Sequence, residues 1–350
     1  MIHSIHPYPC KFPSTIADKY LEPTKNFLDP FCGSGTSLLE AARKGMEVYG
    51  FDCNPIAGLI SRCKLVNLRN TEIVNLEKFA KQALQVSFES IDPNLTLHSF
   101  HGRDHWFSEE VQREFAFLLE EIDDYDRDSN SWVVLATVLS AITVAHSKQD
   151  SETRYVAVEK KHSRGDVIVA FAKKLDRVTR AIRARGPLPN NNRQVFLGDI
   201  RQGMPIEDNS ISQVITSPPY ANTMDYYLYH KQRMNILGFD FKKTQSQEIG
   251  SRYEFSSKKE SKETWNRDYE IGLREVARVL ENSGRAIYII GDSQIAGELV
   301  DGAKLTTEVA KSIGLSCKVL ESIPMAGRSR TFNHSYQRPN KFEHVVEVRK

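Results

Sequence analysis

Hydrophobic and polar positions alternate along this chain with two different periods. Asn26-Phe-Leu-Asp-Pro-Phe is a short apolar run closed by a proline and then a glycine-rich turn, which predicts a strand. Ser37-Leu-Leu-Glu-Ala-Ala-Arg-Lys follows with strong helix formers and basic residues in its last turn, and Gly45 stands where a helix C-cap belongs. Glu47-Val-Tyr-Gly-Phe-Asp predicts a second strand, and another helix is expected after Asn54-Pro55. Strand, tight turn, helix and strand within about 30 residues make a βαβ unit.

From about residue 65 to 192 the period is helical. The longest apolar run, Trp132 to Ala145, spans 14 residues and is interrupted by Thr137, Ser140 and Thr143. A bilayer span needs about 18 or more apolar residues, so this run predicts a buried helix. After Pro187-Leu-Pro-Asn-Asn-Asn, which reads as a linker, strands resume at Gln194-Val-Phe-Leu-Gly-Asp and Ile211-Ser-Gln-Val-Ile-Thr. A helix over Asp225 to Leu237, a polar loop from Phe239 to Glu263, a helix over Trp265 to Leu280, a strand over Arg285 to Gly291 and a helix over Leu305 to Ile313 continue the alternation. Two β-rich runs, Leu315 to Ile323 and Phe342 to Arg349, close the chain as a hairpin, which makes a parallel sheet mixed. The expected fold is α/β: a Rossmann-like mixed sheet with a terminal antiparallel hairpin and a helical insertion. Its expected parts are residues 1–64 and 193–350 as the core, with 65–192 inserted between them.

Length and composition agree with that picture. The chain has 350 residues, 40% apolar and 26% charged, and a negative mean hydropathy. Such a composition excludes collagen-like, disordered and membrane-embedded classes. The first 13 residues carry two His, three Pro and a Cys, with no apolar stretch to act as a signal peptide. Five cysteines show neither framework nor finger spacing, so reduced thiols in a cytosol are expected, with no structural metal. His101, His105 and Trp106 lie together, but no third or fourth ligand accompanies them.

Net charge is +2, from 47 basic and 45 acidic residues, yet the charges are segregated. Glu109 to Asp128 holds nine acids against two Arg, and Arg154 to Arg185 holds ten Lys or Arg against three acids. These runs read either as solvated helix faces that pair with each other or as a basic face toward nucleic acid.

Candidate chemistry starts at Leu28-Asp-Pro-Phe-Cys-Gly-Ser-Gly-Thr. A strand that ends in glycines and opens a helix aims backbone N–H groups and a helix dipole at a ligand. Leu38 occupies the place of a dinucleotide fingerprint's third glycine, and no Gly-Lys-Ser/Thr follows. Asp29 at the first strand's end would repel a pyrophosphate but attract a sulfonium or ammonium group. Asp52, ending the next strand, is placed to accept from two ribose hydroxyls, and Asp199 in Gly198-Asp199 from an exocyclic amine. Three such carboxylates suit a cationic nucleoside better than a nucleotide. Each could alternatively cap a following helix.

Together, His6-Pro-Tyr-Pro-Cys-Lys-Phe-Pro13, the Asp-Pro-Phe-Cys-Gly-Ser-Gly-Thr turn, Phe51-Asp52, Gly198-Asp199 and Thr216-Ser-Pro-Pro-Tyr220 resemble the amino-group DNA methyltransferases. The resemblance spans most of the chain outside the helical insertion. It implies a seven-stranded methyltransferase sheet and S-adenosyl-L-methionine as methyl donor. It further implies that Phe12, Asp29, Pro30, Phe31, Gly33, Gly35, Thr36, Asp52, Asn54 and Asp199 line the donor site. Ser217, Pro218, Pro219 and Tyr220 would form the catalytic corner. An exocyclic base amine is a poor nucleophile because its lone pair is delocalised into the ring. Acceptors for its two hydrogens, Ser217 Oγ and the Pro218 carbonyl held outward by the prolines, favour its attacking form. Tyr220 would stack on the base, which must leave the duplex.

Ring-carbon methylation needs a thiolate at this corner, where Ser217 stands; Cys10 precedes the first strand and reads as packing or lining. Ser as the first motif residue goes in the family mostly with cytosine N4, and adenine N6 is the alternative. A guanine-N2 RNA methyltransferase and a silent DNA-binding subunit are more distant readings. The partner expected is double-stranded DNA in a bacterial or archaeal cytosol, without a membrane, with a cognate restriction endonuclease left open. The insertion, loop 239–263 and the basic residues Arg328, Arg330, Arg338 and Lys341 are the segments expected to contact DNA.

Overall fold

A computed structural model describes residues 2–10, 14–189, 191–325 and 341–350. Two compact units divide them: Met1–Lys11, Pro55–Pro189 and Tyr227–Gln245 form a helical unit, and Phe12–Asn54, Asn190–Tyr226 and Ser246–Lys350 form a sheet unit.

The sheet unit has seven strands: β1 (Asn26–Asp29), β2 (Glu47–Asp52), β3 (Arg193–Leu197), β4 (Ile211–Thr216), β5 (Leu280–Gly291), β6 (Ser316–Pro324) and β7 (Phe342–Arg349). Their order is β6-β7-β5-β4-β1-β2-β3. β1, β2, β3, β4 and β5 pair in parallel. β7 runs antiparallel to both β5 and β6, which is the expected terminal hairpin and makes the sheet mixed. Strand order reverses between β1 and β4, with Leu28 beside Val214. At such a switch point the carboxyl ends of neighbouring strands open a crevice, where open α/β sheets bind ligands. Leu28, Val214, Ile290 and Val346 are buried with Trp265, Leu273 and Ala310 of the flanking helices α8 (Lys262–Val279) and α9 (Gly302–Ser312). Helix α1 (Thr36–Arg43) ends as read from the sequence, with Gly45 at a φ of 81° just beyond it.

In the helical unit, α5 (Asn130–His146) is the apolar run and is buried along nearly all of its length. Its polar interruptions do not expose it, because Thr137 and Thr143 donate to the carbonyls of Val133 and Leu139, one turn back. Around it pack α2 (Pro55–Leu65), α4 (Glu109–Asp123), α6 (Asp166–Arg185) and α7 (Lys231–Leu237), while α3 (Asn70–Ala83) lies against α6. The acidic and basic segments do meet, at a buried group: Glu114 accepts from the N–H groups of Gly165 and Ile168 at 2.9 and 3.1 Å and so caps α6. Of the α6 arginines, Arg183 pairs with Glu77 at 2.8 Å and Arg180 with Asp176.

Three local expectations change. The helix expected over Asp225 to Leu237 is broken at His230, where Arg233 turns back to the Tyr229 carbonyl. The loop expected over Phe239 to Glu263 holds two short helices, Phe241–Gln247 and Arg252–Ser256, started by Asp240 and Ser251 as caps. The helical unit also takes in α2 and Tyr227–Gln245, outside the expected 65–192, because both carry helices that pack on α5. No helix among the described residues is long and apolar enough to cross a membrane.

Candidate active site

The glycine turn closes on itself before α1 begins. Gly35 N–H donates to the Cys32 carbonyl at 2.7 Å, and Cys32 N–H reaches the Phe51 carbonyl of β2 at 3.0 Å. Gly35 then enters α1 at φ 69° and ψ 33°, a left-handed conformation that glycine adopts without a Cβ penalty. Gly33, at φ 49°, turns its N–H to Asp52 Oδ2 at 2.9 Å. Asn54 N–H reaches the other oxygen of Asp52 at 2.9 Å, so the turn and the end of β2 share one half-buried carboxylate. Burial pushes that carboxyl up to about 6, and the backbone bonds from Asn54 and Gly33 offset part of the effect. Thr36 Oγ1 is buried without a hydrogen-bond partner among the described residues. An orphaned hydroxyl beside a charged acceptor and a glycine turn fits a ligand that offers hydroxyls and amines, as a nucleoside does.

Asp29 has a different environment. It is almost fully buried, and its oxygens accept from Thr216 Oγ1 at 2.7 Å, from Phe31 N–H at 3.2 Å and from the Ser37 hydroxyl. Burial pushes its carboxyl up to about 6, against the pull of those three donors. Asp29 therefore ties the ends of β1 and β4 to the start of α1. Thr216 is the residue before Ser217, so this tie sets the glycine turn and the Ser-Pro-Pro-Tyr corner side by side at the switch point.

Asp199 caps a short 3-10 helix (Ile200–Gln202) through Arg201 N–H at 3.0 Å, and both its oxygens also accept from the Arg201 guanidinium. Arg201 bonds Asp268 of α8 at 2.7 Å as well. Pro30 is buried, and Phe31 packs on the core beside Ile200.

At the corner, Pro218 is buried, while Ser217, Pro219 and Tyr220 are half-buried. Ser217 Oγ lies 3.4 Å from the Tyr220 hydroxyl, which lies 3.1 Å from Glu343 Oε1 and 3.4 Å from the Ile289 carbonyl. The Tyr220 ring runs over Gly291 so closely that a Cβ there would stand 2.6 Å from its Cε2. Close approach, not backbone conformation, requires this glycine.

Phe12, Arg328, Arg330 and Arg338 lie outside the described residues. Lys341 is buried rather than presented to a partner. Cys10 is exposed, which removes the packing reading of its thiol. His6 and Tyr8 belong to the helical unit: His6 Nε2 meets Ser140 Oγ at 2.9 Å, and Tyr8 stacks on His230. Ser37, Arg201, Asp268 and Glu343 were not singled out by sequence, and Thr216 was read only as the residue leading into the Ser-Pro-Pro-Tyr corner, since no motif read above assigns any of them a partner. Asp292, Asp301 and His344 lie close enough to hold a metal ion. Asp292 is already engaged by Gly302 N–H, Phe342 N–H and His344 Nε2, which accounts for it as a tie between β5, β7 and α9.

Residues 19–90 match the family described as RMKL-like, methyltransferase domain. The chain is similar to the type II methyltransferase M.MvaI of Kocuria varians, 26% identical over 267 residues, which are 69% of this chain and 58% of that protein. It is likewise similar to the type II methyltransferase M.BsoBI of Geobacillus stearothermophilus, 26% identical over 62% of this chain and 48% of that protein. The chain thus spans roughly half the length of these curated relatives. Among solved structures, the rRNA methyltransferase aviRa of Streptomyces viridochromogenes aligns at 13% identity and a TM-score of 0.33, over 98% of this chain and 88% of that one.

Proposed function

We propose that the chain is a DNA methyltransferase that transfers a methyl group from S-adenosyl-L-methionine to the exocyclic N4 of cytosine in double-stranded DNA, a reading supported by its similarity to type II methyltransferases and to a methyltransferase-domain family. The observation that carries this reading is the Thr216–Asp29 bond, which sets the donor-type turn and the Ser-Pro-Pro-Tyr corner against each other. Asp52 is the acceptor for the donor's ribose hydroxyls, with Thr36 and the Gly33–Gly35 turn beside it. Asp29 holds the turn in place and adds negative charge near a sulfonium. Asp199, paired with Arg201, borders the same site as a polar wall. Pro30, Phe31 and Asn54 shape its sides.

The bound donor supplies an electrophilic methyl group. Ser217 Oγ and the Pro218 carbonyl accept from the target amine and localise its lone pair for attack. Tyr220 offers a ring face to the flipped base, and stacking of this kind is worth about 1–3 kcal/mol per base. A serine at the head of the corner, where a carboxylate would also accept, favours cytosine over adenine in this reading. A duplex DNA partner follows from it.

Nucleoside mass spectrometry of DNA from cells expressing the protein tests the proposal. N4-methylcytosine is expected. N6-methyladenine would move the target to adenine, methylated guanosine in RNA would change the substrate class, and no methylated nucleoside would make the chain a silent binder.

A further inference from the structure

Glu343 lies in neither motif, yet it bonds the catalytic corner. It stands in β7 opposite Gly291 of β5, the glycine over which the Tyr220 ring runs. Among the described residues, the Tyr220 hydroxyl reaches the acceptors Glu343 Oε1 at 3.1 Å and the Ile289 carbonyl at 3.4 Å. A carboxylate is the stronger acceptor as well as the nearer one, so the tyrosyl proton points to Glu343. The tyrosyl oxygen is then left to accept from Ser217 Oγ at 3.4 Å, and the Ser217 lone pairs are left for another donor. Hydroxyl to hydroxyl to carboxylate is a directed chain that starts where the target amine would sit.

We propose that Glu343 is a positioning residue of the transfer reaction: acting through Tyr220 and Ser217, it receives the proton that the methylated amine must lose. This rests on the reading of Ser217 as acceptor for that amine. During transfer the amine lone pair forms the new N–C bond, and the S–C bond breaks with its electrons staying on sulfur. The nitrogen now carries one proton too many, and an N–H bond breaks with its pair left on nitrogen. Ser217 Oγ takes that proton as its own passes to Tyr220 Oη, and the tyrosyl proton passes to the Glu343 carboxylate. The products are a neutral methylamine, a neutral thioether and a protonated carboxyl, which loses its proton to solvent. No oxidant or further reactant enters.

The chain needs a base at its end, because neither a serine hydroxyl nor a proline carbonyl holds a proton at neutral pH. Asp29 is engaged by Thr216, Ser37 and Phe31, and Asp292 by Gly302, Phe342 and His344. Glu343 is the carboxylate that the Tyr220 hydroxyl bonds. A long Ser217–Tyr220 distance without substrate is compatible with this, since catalytic hydrogen bonds tighten when the reacting group arrives.

The full-length protein is tested in single-turnover methylation, with methyl-labelled S-adenosyl-L-methionine and PCR-amplified genomic DNA at saturating concentrations. Glu343→Gln keeps an acceptor for Tyr220 but removes the base. It should slow transfer about 10²-fold, at the lower end of what a positioned acid or base contributes, and leave donor affinity unchanged. Glu343→Asp should recover to within about tenfold of the parent rate, since it restores a carboxylate a methylene short. Tyr220→Phe keeps the stacking ring and breaks the relay, so it should be slowed as much as Glu343→Gln, and the double variant no more than either. A parent-like rate in Glu343→Gln or Tyr220→Phe, with Ser217→Ala slow, overturns the relay and leaves the proposed function standing. Should Ser217→Ala be as fast as the parent, or the parent label no DNA, the proposed function falls and the relay falls with it.

Discussion

Asp52 and Asp29 end neighbouring strands and share one electrostatic condition, burial that raises the carboxyl to about 6. The ordinary value of 3.8 holds in the unfolded chain, so each group's contribution favours folding most below about pH 4 and is lost as pH rises through about 6. At neutral pH both are ionised and cost stability, which Asp29 offsets with bonds from Thr216, Ser37 and Phe31. Asp52 accepts from backbone groups, Gly33, Asn54 and Cys53, and stays half-buried, which suits a group waiting for hydroxyl donors. Hydroxyls bond the ionised form better, so S-adenosyl-L-methionine should bind more tightly as pH rises from about 5 to 7, then level off. Asp52→Asn should weaken binding about ten- to hundredfold at pH 7.5, from the loss of roughly 1.5–3 kcal/mol in charged hydrogen bonds, and flatten that pH dependence. Calorimetric titration across this range checks both; an unchanged, still pH-dependent affinity would remove Asp52 from the site. Asp52 and Ser217 were legible as candidates because a motif surrounds each. Glu343 was not, since a glutamate in an alternating strand looks the same whether it faces solvent or a tyrosine from 123 residues away.

Among the elements, β5 and its neighbours decide how the corner is held. Gly291 ends β5 under the Tyr220 ring, and the next residue, Asp292, bonds β7 and the start of α9. Gly291→Ala would place a methyl group 2.6 Å from the ring. Relief requires the ring or the strand end to shift, at a cost of about 1–3 kcal/mol for an overpacked site. The expected outcome is a folded protein with unchanged donor affinity and methyl transfer slowed at least tenfold, because the ring and the hydroxyl leave their positions together. Circular dichroism with single-turnover methylation checks this, and a normal rate would mean that Tyr220 needs no fixed position. The strand itself was expected from its β-branched run, while the meaning of its terminal glycine was not. Only the pairing of β5 with β7 and the return of the Ser-Pro-Pro-Tyr loop bring a ring against it.

For the molecule as a whole, the two units rest on different physics. The sheet unit buries apolar strand faces under helices, as its alternation foretells. The helical unit encloses an ion pair: Arg233 is fully buried, bonds Glu152, the Ser140 and Tyr229 carbonyls and His230, and lies beside His6. Burial, with Arg233 nearby, pushes both imidazoles well below their ordinary value, so they stand neutral next to the guanidinium. Glu152→Ala would leave that charge with neutral partners only. Breaking a buried pair costs about 3–5 kcal/mol, and the lower figure applies here because Glu152 is one-third exposed. Hydrogen exchange reports on each unit separately, so it is the suitable measurement. Protection should fall in Asn130–His146 and Lys231–Leu237 and persist in β1, β4 and β5. A uniform loss would mean that the units unfold together.

The sequence by itself determined the parallel βαβ start, the terminal hairpin, the buried helix and both motifs, because each depends on periodicity or turn chemistry within one element or between elements that follow each other along the chain. Tertiary structure alone decided what those pieces touch. It joined Tyr227–Gln245 to the helices of 55–189, gave the Asp199 oxygens to Arg201, and tied Asp29 to Thr216 across the switch point. It also put Glu343 on the hydroxyl of Tyr220. Hydrogen bonds and ion pairs act over a few ångströms, whereas Asp29 and Thr216 lie 187 residues apart along the chain. A local pattern fixes which face an element buries; strand order and register fix which side chains then meet.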